Sequence, residues 1–397
     1  MSRMTSPRKT GPQRPLELFD TDRLLDEDER DIAGTVRKFV ETRLKPNVGD
    51  WFESATLPKE LAKEFGKLGV LGMHLDGYGC AGTNAVSYGL ACLELEAGDS
   101  GFRSFVSVQG SLSMFSIHRY GSEEQKQEWL PRLASGDAIG CFGLTEPDFG
   151  SNPAGMRTRA RRDGDDWVLN GTKMWITNGG LADVATIWAQ TDDGVRGFLV
   201  PTDTKGFTAN NIHKKLSLRA SVTSELVMDN VRLPDSARLP EADSLSAPLS
   251  CLNEARFGIV FGALGAARDS LESAIAYANS RDVFDRPLSS FQLTQEKFAN
   301  MTLELGKGFL LALHLGRIKD DTDVSPDQVS LGKLNNVRES LAIARECRTI
   351  LGGSGITLEY SPLRHANNLE SVLTYEGTSE MHMLSVGKAL TGHAAFR

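Results

Sequence analysis

Several common features are scarce or missing in this chain of 397 residues, and each absence removes a class of protein. The five cysteines are widely spaced and form no Cys-x-x-Cys pair, so the sequence indicates neither a disulfide framework nor a zinc site. Reduced thiols are typical of the cytoplasm, which we predict as the location. The seven histidines include no His-Glu-x-x-His motif and no pair four residues apart, which argues against a metal site.

Nucleotide-binding loops and membrane segments are also lacking. No Gly-x-x-x-x-Gly-Lys-Ser/Thr motif occurs, and the glycine cluster Gly352–Gly355 follows a predicted helix rather than a strand, the wrong context for a nicotinamide-binding fold. The longest apolar run, Phe257–Ala267, is too short to span a bilayer and predicts a core helix. The net charge of −8 argues against nucleic acid as a partner.

The first fifteen residues, Met1–Pro15, contain basic residues, proline and glycine but no acidic residue. They lack the apolar segment of a secretory signal peptide, so we predict a disordered lead-in. A short transit peptide that is cleaved off is the alternative interpretation.

The rest of the chain has the composition of a globular protein, with 40% hydrophobic and 24% charged residues, and room for two or three domains. From residue 16 to 138 apolar residues recur at helical spacing, which predicts an N-terminal helical domain. Pro46 is predicted to stop the first helix, and Ser122 with Gln125 forms a capping box. The predicted helices are Asp26–Leu44, Leu57–Leu68, Thr83–Ala97, Arg103–Tyr120 and a last one ending at Leu133.

Between residues 139 and 243 the pattern changes to short runs with a period of two and many β-branched residues, which predicts a central antiparallel β domain. Tight turns are expected at Gly164-Asp165, Asn170-Gly171, Asn178-Gly179 and Asp193-Gly194. The predicted strands are Trp167–Asn170, Met174–Thr177, Val184–Trp188, Gly197–Val200 and Ser224–Met228.

Residues 244–397 return to long helical segments, predicted over Asn253–Asn279, Leu293–Lys319 and Pro326–Leu351. Their length favours a C-terminal four-helix bundle. The sequence therefore predicts an α+β multi-domain protein in which a β domain lies between two helical domains.

One carboxylate near the C-terminus is a candidate catalytic group. Glu376 lies between the aromatic ring of Tyr375 and the flexible Gly377. Burial beside apolar groups raises a carboxyl pKa, and a glutamate tuned upward in this way suits the removal of a weakly acidic C–H proton. The alternative is structural, since Glu376 or Thr378 could simply cap the helix predicted over Met381–Leu390.

A second candidate site lies in the loop Cys141–Ser151, which combines a strand, an acidic turn, a glycine and a hydroxyl. Such a loop offers backbone N–H and hydroxyl donors to a flat ligand, although it could also be a plain β-turn. Trp175 on a following strand suits a flavin ring as well as it suits a core.

These motifs resemble, in order and spacing, the flavin-dependent acyl-CoA dehydrogenases, and the resemblance covers roughly residues 16–397. It is carried by Phe142–Ser151, Trp175–Asn178, Arg281 with Phe284, Gln292, Leu351–Ile356 and Tyr375–Thr378. It implies a helical, a β and a four-helix domain with FAD between the last two, a homotetramer, and an electron-transferring flavoprotein as the electron acceptor, with oxygen as the alternative.

The resemblance also implies roles for individual residues. Glu376 would be the catalytic base. Acyl-CoA would contact Glu96, Arg103, Ser104, Ser151, Asn253, Arg256, Tyr375 and Gly377. FAD would contact Phe142, Leu144, Thr145, Gly150, Ser151, Trp175, Ile176, Thr177, Arg281, Phe284, Gln292, Leu351, Gly352, Gly353, Thr378 and Phe396; among these Arg281, Gln292, Gly352 and Gly353 would reach the FAD of a neighbouring subunit. One departure is Asp285, where the family usually has glycine after Phe284.

Arg103 bears on the choice of substrate because its neighbours are apolar or small, so that its guanidinium needs an anionic partner. Glu96 or Asp99 could supply it internally, or the partner could be the distal carboxylate of a dicarboxylyl-CoA, held bidentately. The segments Tyr88–Gln109 and Leu216–Ser221 resemble the family members that act on glutaryl-CoA, whereas Ser379–His382 resembles those that act on simple chains.

For the glutaryl-CoA branch the resemblance implies a complete reaction in amino-acid degradation. Glu376 would take the α-proton while a hydride passes to the flavin, Arg103 would hold the γ-carboxylate as CO₂ departs, and the returned proton would give crotonyl-CoA. Two alternatives stay open. One is a short- or medium-chain dehydrogenase without decarboxylation, in which Arg103 is paired with Glu96, and the other is a flavin-free scaffold in which Asp285 expels FAD.

Overall fold

A computed structural model describes residues 11–395. Phe396, predicted to contact FAD, lies outside the described residues, as do the first ten residues of the predicted lead-in. The last residue of that lead-in, Pro15, begins a short 3-10 helix that ends at Phe19. None of the helices in the described range combines the length and the apolar character needed to cross a membrane.

The N-terminal third is helical, as predicted, but its first helix does not stop at Pro46. A π-helical turn, Val40–Leu44, joins two α-helices into one continuous rod, and the N–H of Lys45 bonds to the carbonyl of Val40. The wide turn shifts the hydrogen bonding by one residue, and Pro46 falls in the first turn of the next helix, where a missing N–H is tolerated.

The other N-terminal helices follow the predicted order. The capping box is confirmed, because Ser122 Oγ accepts from Gln125 N and Gln125 Oε1 accepts from Ser122 N. The predicted helix from Arg103 begins earlier, at Ser100, and continues to Tyr120 through a second π-helical turn, Val108–Met114. The helices are α1 (Glu27–Phe39), α2 (Lys45–Ser54), α3 (Leu61–Leu68), α4 (Ala85–Gly98), α5 (Ser100–Ser107), α6 (Phe115–Tyr120) and α7 (Glu123–Ala134).

The middle of the chain forms one seven-stranded sheet in the order β1-β4-β2-β3-β7-β6, with β5 paired to β4. The prediction of a purely antiparallel sheet is wrong around β4, which runs parallel to β1 and, through the pair of Arg159 and Gln190, to β2. A parallel pair needs a long crossover, which a pattern of period two does not reveal. The strands are β1 (Gly140–Gly143), β2 (Arg159–Asp163), β3 (Asp166–Thr177), β4 (Val184–Thr191), β5 (Gly194–Pro201), β6 (Phe207–Asn211) and β7 (Thr223–Pro234).

The predicted turn at Asn170-Gly171 is also wrong. The two predicted strands around it form a single strand, β3, and the pairing with β7 shifts register between Leu169 and Gly171. Gly171, at φ 148°, carries a β-bulge there rather than a chain reversal. The hairpin turns at Gly164 and Gly194 are confirmed by the strand pairing on either side of them.

The C-terminal part contains the three predicted long helices and two shorter ones. α8, α9, α10 and α11 pack as a bundle, and α12 lies against α10. α4 of the N-terminal part packs along α8 at close range, since a Cβ on Gly265 would lie 1.9 Å from the carbonyl oxygen of Leu93. The elements are α8 (Ser246–Ser280), β8 (Asp282–Val283), β9 (Arg286–Pro287), α9 (Gln292–Asp321), α10 (Pro326–Ile350), α11 (Pro362–Thr374) and α12 (Ser379–Thr391).

Candidate active site

Glu376 lies in the short connection between α11 and α12, which we call the strap (Tyr375–Gly377). Both Glu376, at φ 53°, and Gly377, at φ 98°, adopt the left-handed region. The capping role belongs to Thr378, whose Oγ1 accepts from Met381 N at 3.4 Å. The carboxylate of Glu376 has no such structural task, because its buried Oε2 has no hydrogen-bond partner among the described residues. It is therefore available for chemistry.

Two basic side chains, the half-buried Arg256 and the buried Lys333, hold the strap from behind. Arg256 Nε on α8 donates to the carbonyl of Glu376 at 2.6 Å. Lys333 Nζ on α10 donates to the carbonyls of Tyr375 and Gly377, each at 2.6 Å. Sequence reasoning missed Lys333. A signal was present, since Ser330, Lys333, Asn336 and Ser340 form a polar stripe on the buried face of α10.

Burial and neighbouring charges shift the pKa values of Glu376, Lys333 and Tyr375. Burial raises the pKa of Glu376, and the positive charges of Arg103, Lys333 and Arg256 oppose that rise without cancelling it. Burial lowers the pKa of Lys333 to about 7, although the negative charge of Glu376 acts in the other direction. Burial also raises the pKa of Tyr375 to about 12, so its hydroxyl stays protonated at neutral pH. A carboxyl with a raised pKa fits a general base.

Arg103 is fully buried and forms an internal ion pair, so it is not a solvated surface group. Its Nε lies 2.6 Å from Glu96 Oε2, and its Nη2 donates to the Tyr375 hydroxyl. Ser104 Oγ lies 3.2 Å from the same hydroxyl. Glu96 is therefore the internal partner that the sequence left open. Arg103 Nη1 donates to no described residue.

The other possible partner, Asp99, is engaged elsewhere. Its Oδ2 accepts from Arg364 Nη1 and, at 2.9 Å, from Asn368 Nδ2 of α11. The pair of Arg103 and Glu96 fits against α8 because Gly262 has no side chain; a Cβ there would lie 2.3 Å from Glu96 Oε2. Arg103, Glu96, Ser104, Tyr375, Glu376, Gly377 and Arg256 thus form one connected cluster.

Asn253, the remaining predicted acyl-CoA contact besides Ser151, lies on α8 one turn before Arg256 and is half-buried. Its Oδ1 is buried without a hydrogen-bond partner in the described range, which is consistent with a ligand contact. Ser151 is exposed and belongs to the loop after β1. Among the described residues, no group of three His, Cys, Asp or Glu side chains is arranged to hold a metal ion.

The loop after β1 is held in place by a second buried lysine that sequence reasoning missed. Lys173 Nζ on β3 donates to the carbonyl of Leu144 at 3.0 Å and to Glu146 Oε1 at 2.8 Å. Glu146 also accepts from the N–H groups of Arg157 at 2.6 Å and Thr158 at 2.9 Å. These bonds and the charge of Lys173 keep the pKa of Glu146 below its ordinary value against the effect of burial.

The face of this loop fits a flat aromatic cofactor. Trp175 is 60% exposed although it lies within β3, because the pairing of β3 with β7 is irregular between Lys173 and Ile176 and turns Trp175 to φ 64°. An exposed indole beside a fixed loop suits stacking against an isoalloxazine ring. Among the other predicted FAD contacts here, Phe142, Leu144 and Ile176 have buried side chains, Thr145 and Thr177 are half-buried, and Gly150 is exposed.

The predicted FAD contacts to a neighbouring subunit lie on the surface at the ends of the long helices. Phe284 is 88% exposed at the tip of the β8–β9 hairpin, between Arg281 and Gln292, which are exposed as well. Asp285, at φ 64°, preserves the tight turn in place of glycine. Gly352 and Gly353 border open space, whereas the side chain of Leu351 is buried.

The β domain lies between two helical ones, with a buried carboxylate that has no described partner on the strap and an exposed indole beside a fixed loop, an arrangement that suits a flavin-dependent dehydrogenase. Family models of the acyl-CoA dehydrogenase N-terminal, middle and C-terminal domains match residues 26–137, 141–231 and 245–391. The chain belongs to the acyl-CoA dehydrogenase family, and FAD is its cofactor.

Individual relatives cover nearly the whole chain. A crystal structure of a glutaryl-CoA dehydrogenase from Mycobacterium smegmatis in complex with FADH2 is 86% identical, with a TM-score of 0.96 over 97% of this chain and 100% of the other. A structure described as an electron transferring flavoprotein of Acidaminococcus fermentans is 30% identical, with a TM-score of 0.90 over 93% and 99%. Human short-chain specific acyl-CoA dehydrogenase is 36% identical over 91% of this chain and 90% of its own.

Proposed function

We propose that the protein oxidises and decarboxylates glutaryl-CoA to crotonyl-CoA. The observation that carries this proposal is the fully buried guanidinium of Arg103, joined to the base through Tyr375 and with Nη1 free of any described acceptor. The cluster contains three basic side chains, Arg103, Arg256 and Lys333, and two carboxylates, Glu96 and Glu376. A substrate that brings one further carboxylate supplies an acceptor for Arg103 Nη1, which bonds to no described residue.

The proposed reaction begins at Glu376, whose ionised carboxylate accepts the α-proton of the thioester. Bound FAD supplies the acceptor for the hydride that leaves the β-carbon. The N–H of Glu376 lies opposite the Tyr375 carbonyl across a trans peptide bond, so it points away from Lys333 and can polarise the thioester oxygen. Trp175, Thr145 and Thr177 would hold the cofactor.

The decarboxylation step depends on Arg103. Its guanidinium holds the γ-carboxylate until CO₂ leaves, and its bonds to Glu96 and Tyr375 fix its orientation. Protonated Glu376 then returns its proton to the dienolate, which gives crotonyl-CoA. One carboxyl group thus serves as base and then as acid.

The partners are part of the same proposal. We expect an electron-transferring flavoprotein to take the electrons, as membership of the acyl-CoA dehydrogenase family implies. We also expect a homotetramer, since the predicted FAD contacts at Arg281, Phe284 and Gln292 lie exposed on the single chain. We also expect a cytoplasmic enzyme, since the five free thiols fit a reducing compartment, and the proposed substrate implies a role in amino-acid degradation.

An anaerobic titration of the purified holoenzyme tests this function. Glutaryl-CoA should bleach the flavin absorbance and release crotonyl-CoA and CO₂, whereas butyryl-CoA should bleach it far more slowly. Bleaching by neither substrate would contradict the proposal.

A second candidate is a straight-chain acyl-CoA dehydrogenase without decarboxylation. It is favoured by the bond between Arg103 and Glu96, which pairs the guanidinium without any substrate. In the same titration it predicts equally fast bleaching by butyryl-CoA and no release of CO₂.

A further inference from the structure

The backbone of the strap has an unusual set of hydrogen bonds. Three consecutive carbonyls, those of Tyr375, Glu376 and Gly377, all accept from cationic side chains. Lys333 alone bonds the first and the third of them, so its single ammonium group spans the catalytic residue. Bonds from charged donors are about twice as strong as those between neutral groups.

This arrangement determines where the N–H groups of the strap point. In a trans peptide the N–H lies opposite the carbonyl, so the N–H groups of Glu376 and Gly377 are directed away from Lys333 and Arg256. No described residue accepts a hydrogen bond from either group. The left-handed conformation of Glu376 is disfavoured for a residue with a side chain and persists only where its surroundings enforce it. The two cations supply that constraint.

We propose that Lys333 is a positioning residue for proton transfer, because its bonds to the Tyr375 and Gly377 carbonyls fix the orientation of the Glu376 carboxylate and N–H. This inference rests on the proposed function, in which Glu376 is the base. Lys333 is 2% exposed and touches neither the substrate nor the flavin in this scheme, so it acts through the strap.

Other charged or titratable groups also surround Lys333 and Glu376. Arg256 lies on α8, Arg103 and Glu96 belong to the N-terminal helices, and Tyr375 contributes its ring, 5.9 Å from Lys333 Nζ. His382 of α12 bonds to Ser330 through Nδ1 at 3.0 Å, and burial lowers its pKa to about 3, so it stays neutral in the working range. Lys333 is the cation among these groups that bonds the strap at two points.

The test compares Lys333→Met, which removes donor and charge, with Lys333→Gln, which keeps a donor, and Lys333→Arg, which keeps the charge. In the holoenzyme we expect Lys333→Met to slow flavin reduction by glutaryl-CoA by ~10²-fold, because small misplacement of a catalytic group costs about that much. Substrate affinity should change by less than about threefold, because the bonded carbonyls lie behind the strap. Lys333→Arg should reduce its flavin at least about tenfold faster than Lys333→Met, since arginine restores charged donors.

A pH profile separates positioning from mere structural support. Without the ammonium group the ionised form of Glu376 is less stabilised, so the pKa of Glu376 rises in Lys333→Met and Lys333→Gln. The acid limb, which is the low-pH side of the plot of kcat/KM against pH, therefore moves to higher pH in both variants. Lys173→Met is the matched control. Lys173 is also buried and also donates to a backbone carbonyl, but that carbonyl belongs to Leu144 in the loop after β1 and not to the strap. Lys173→Met should lower FAD content and leave the acid limb unchanged.

Two outcomes overturn the inference. One is a Lys333→Met enzyme that reduces its flavin within about threefold of the wild-type rate with the same acid limb. If that variant yields no folded protein, a Lys333→Gln acid limb that coincides with the wild type overturns it equally. Failure of the wild-type enzyme to react with any acyl-CoA would instead overturn the proposed function, so the two failures are distinguishable.

Discussion

The acyl side and the flavin side of the candidate site are built in opposite ways. On the acyl side, Arg103, Glu96 and Lys333 are almost completely buried and are bonded to one another or to the strap within a single chain. On the flavin side, Trp175 is 60% and Phe284 88% exposed. The charged groups on the acyl side are thus held before any ligand binds, whereas these two exposed rings have most of their surface open on the single chain.

This difference has an energetic consequence. Removing one partner of a buried ion pair costs about 3–5 kcal/mol because the other charge remains buried and uncompensated. Replacing an exposed side chain changes stability by less than about 0.5 kcal/mol. Substitutions of the buried groups on the acyl side should therefore affect chemistry and folding together, and those of the exposed side chains on the flavin side should affect cofactor binding alone.

The largest effect is expected for Glu376→Gln, which removes the base and keeps the shape of the side chain. Flavin reduction by glutaryl-CoA should slow by ~10²–10⁴-fold, the usual contribution of a positioned proton acceptor, while FAD content and substrate binding are retained. Stopped-flow absorbance under anaerobic conditions measures the rate. Reduction at the wild-type rate would show that another group is the base.

Arg103→Met should come next. We expect kcat/KM for glutaryl-CoA to fall by ~10²-fold or more and that for butyryl-CoA by less than about tenfold, because only the first substrate carries a carboxylate for the guanidinium. The loss of the cation also leaves Glu96 unpaired. The double variant Arg103→Met/Glu96→Gln controls for that charge and should be more stable than the single variant. Equal losses with both substrates would contradict a role in specificity.

Trp175→Ala tests the flavin side. FAD should bind about tenfold more weakly, since an aromatic pair contributes roughly 0.5–1.5 kcal/mol beyond the area it buries. The melting temperature of the FAD-free protein should stay the same, because the side chain is largely exposed. Leu18→Ala is a suitable control, since Leu18 is exposed to a similar degree, 64%, and is not a predicted cofactor contact. Unchanged FAD affinity would show that the indole does not contact the cofactor.

The smallest effect concerns stability and its dependence on pH. Because burial raises the pKa of Glu376, the folded protein binds its proton more tightly than the unfolded chain, and the ionised group destabilises the fold as pH rises through the folded pKa. Glu376→Gln should therefore melt no lower than the wild type near pH 8, with a gain of about 2 °C. The gain should vanish below the ordinary glutamate pKa of about 4.3. A lower melting temperature at both pH values would contradict the raised pKa.

Local sequence signals predicted most of the secondary structure. The Ser122 capping box, the hairpins at Gly164 and Gly194 and the long helices of the bundle are confirmed because their hydrogen bonds join residues close in the chain. Pro46 and Asn170-Gly171 gave wrong predictions for a common reason. A π-helical turn and a β-bulge change the local hydrogen bonding so that a nominal breaker is tolerated.

The sequence predicted the candidate site only in part. Motif order identified Glu376, Arg103 and the loop before Ser151, and the structure joins Glu376 and Arg103 in one cluster through Tyr375. Motif order could not show that Glu96 rather than Asp99 pairs with Arg103, since both carboxylates are close to Arg103 in the sequence. The two buried lysines went unnoticed because an isolated lysine in a helix or strand is normally a surface residue.

The amino-acid sequence alone determined the order of the three domains and the family, and it singled out Glu376 as the proposed base, because periodicity and motif spacing are properties of the chain itself. Only the tertiary structure decided which buried cation meets which carbonyl or carboxylate. Arg103 and Tyr375 are 272 residues apart, and Lys333 and Tyr375 are 42 apart. Contacts of that range depend on how whole helices pack, and burial then places a lysine and an arginine beside the proposed base.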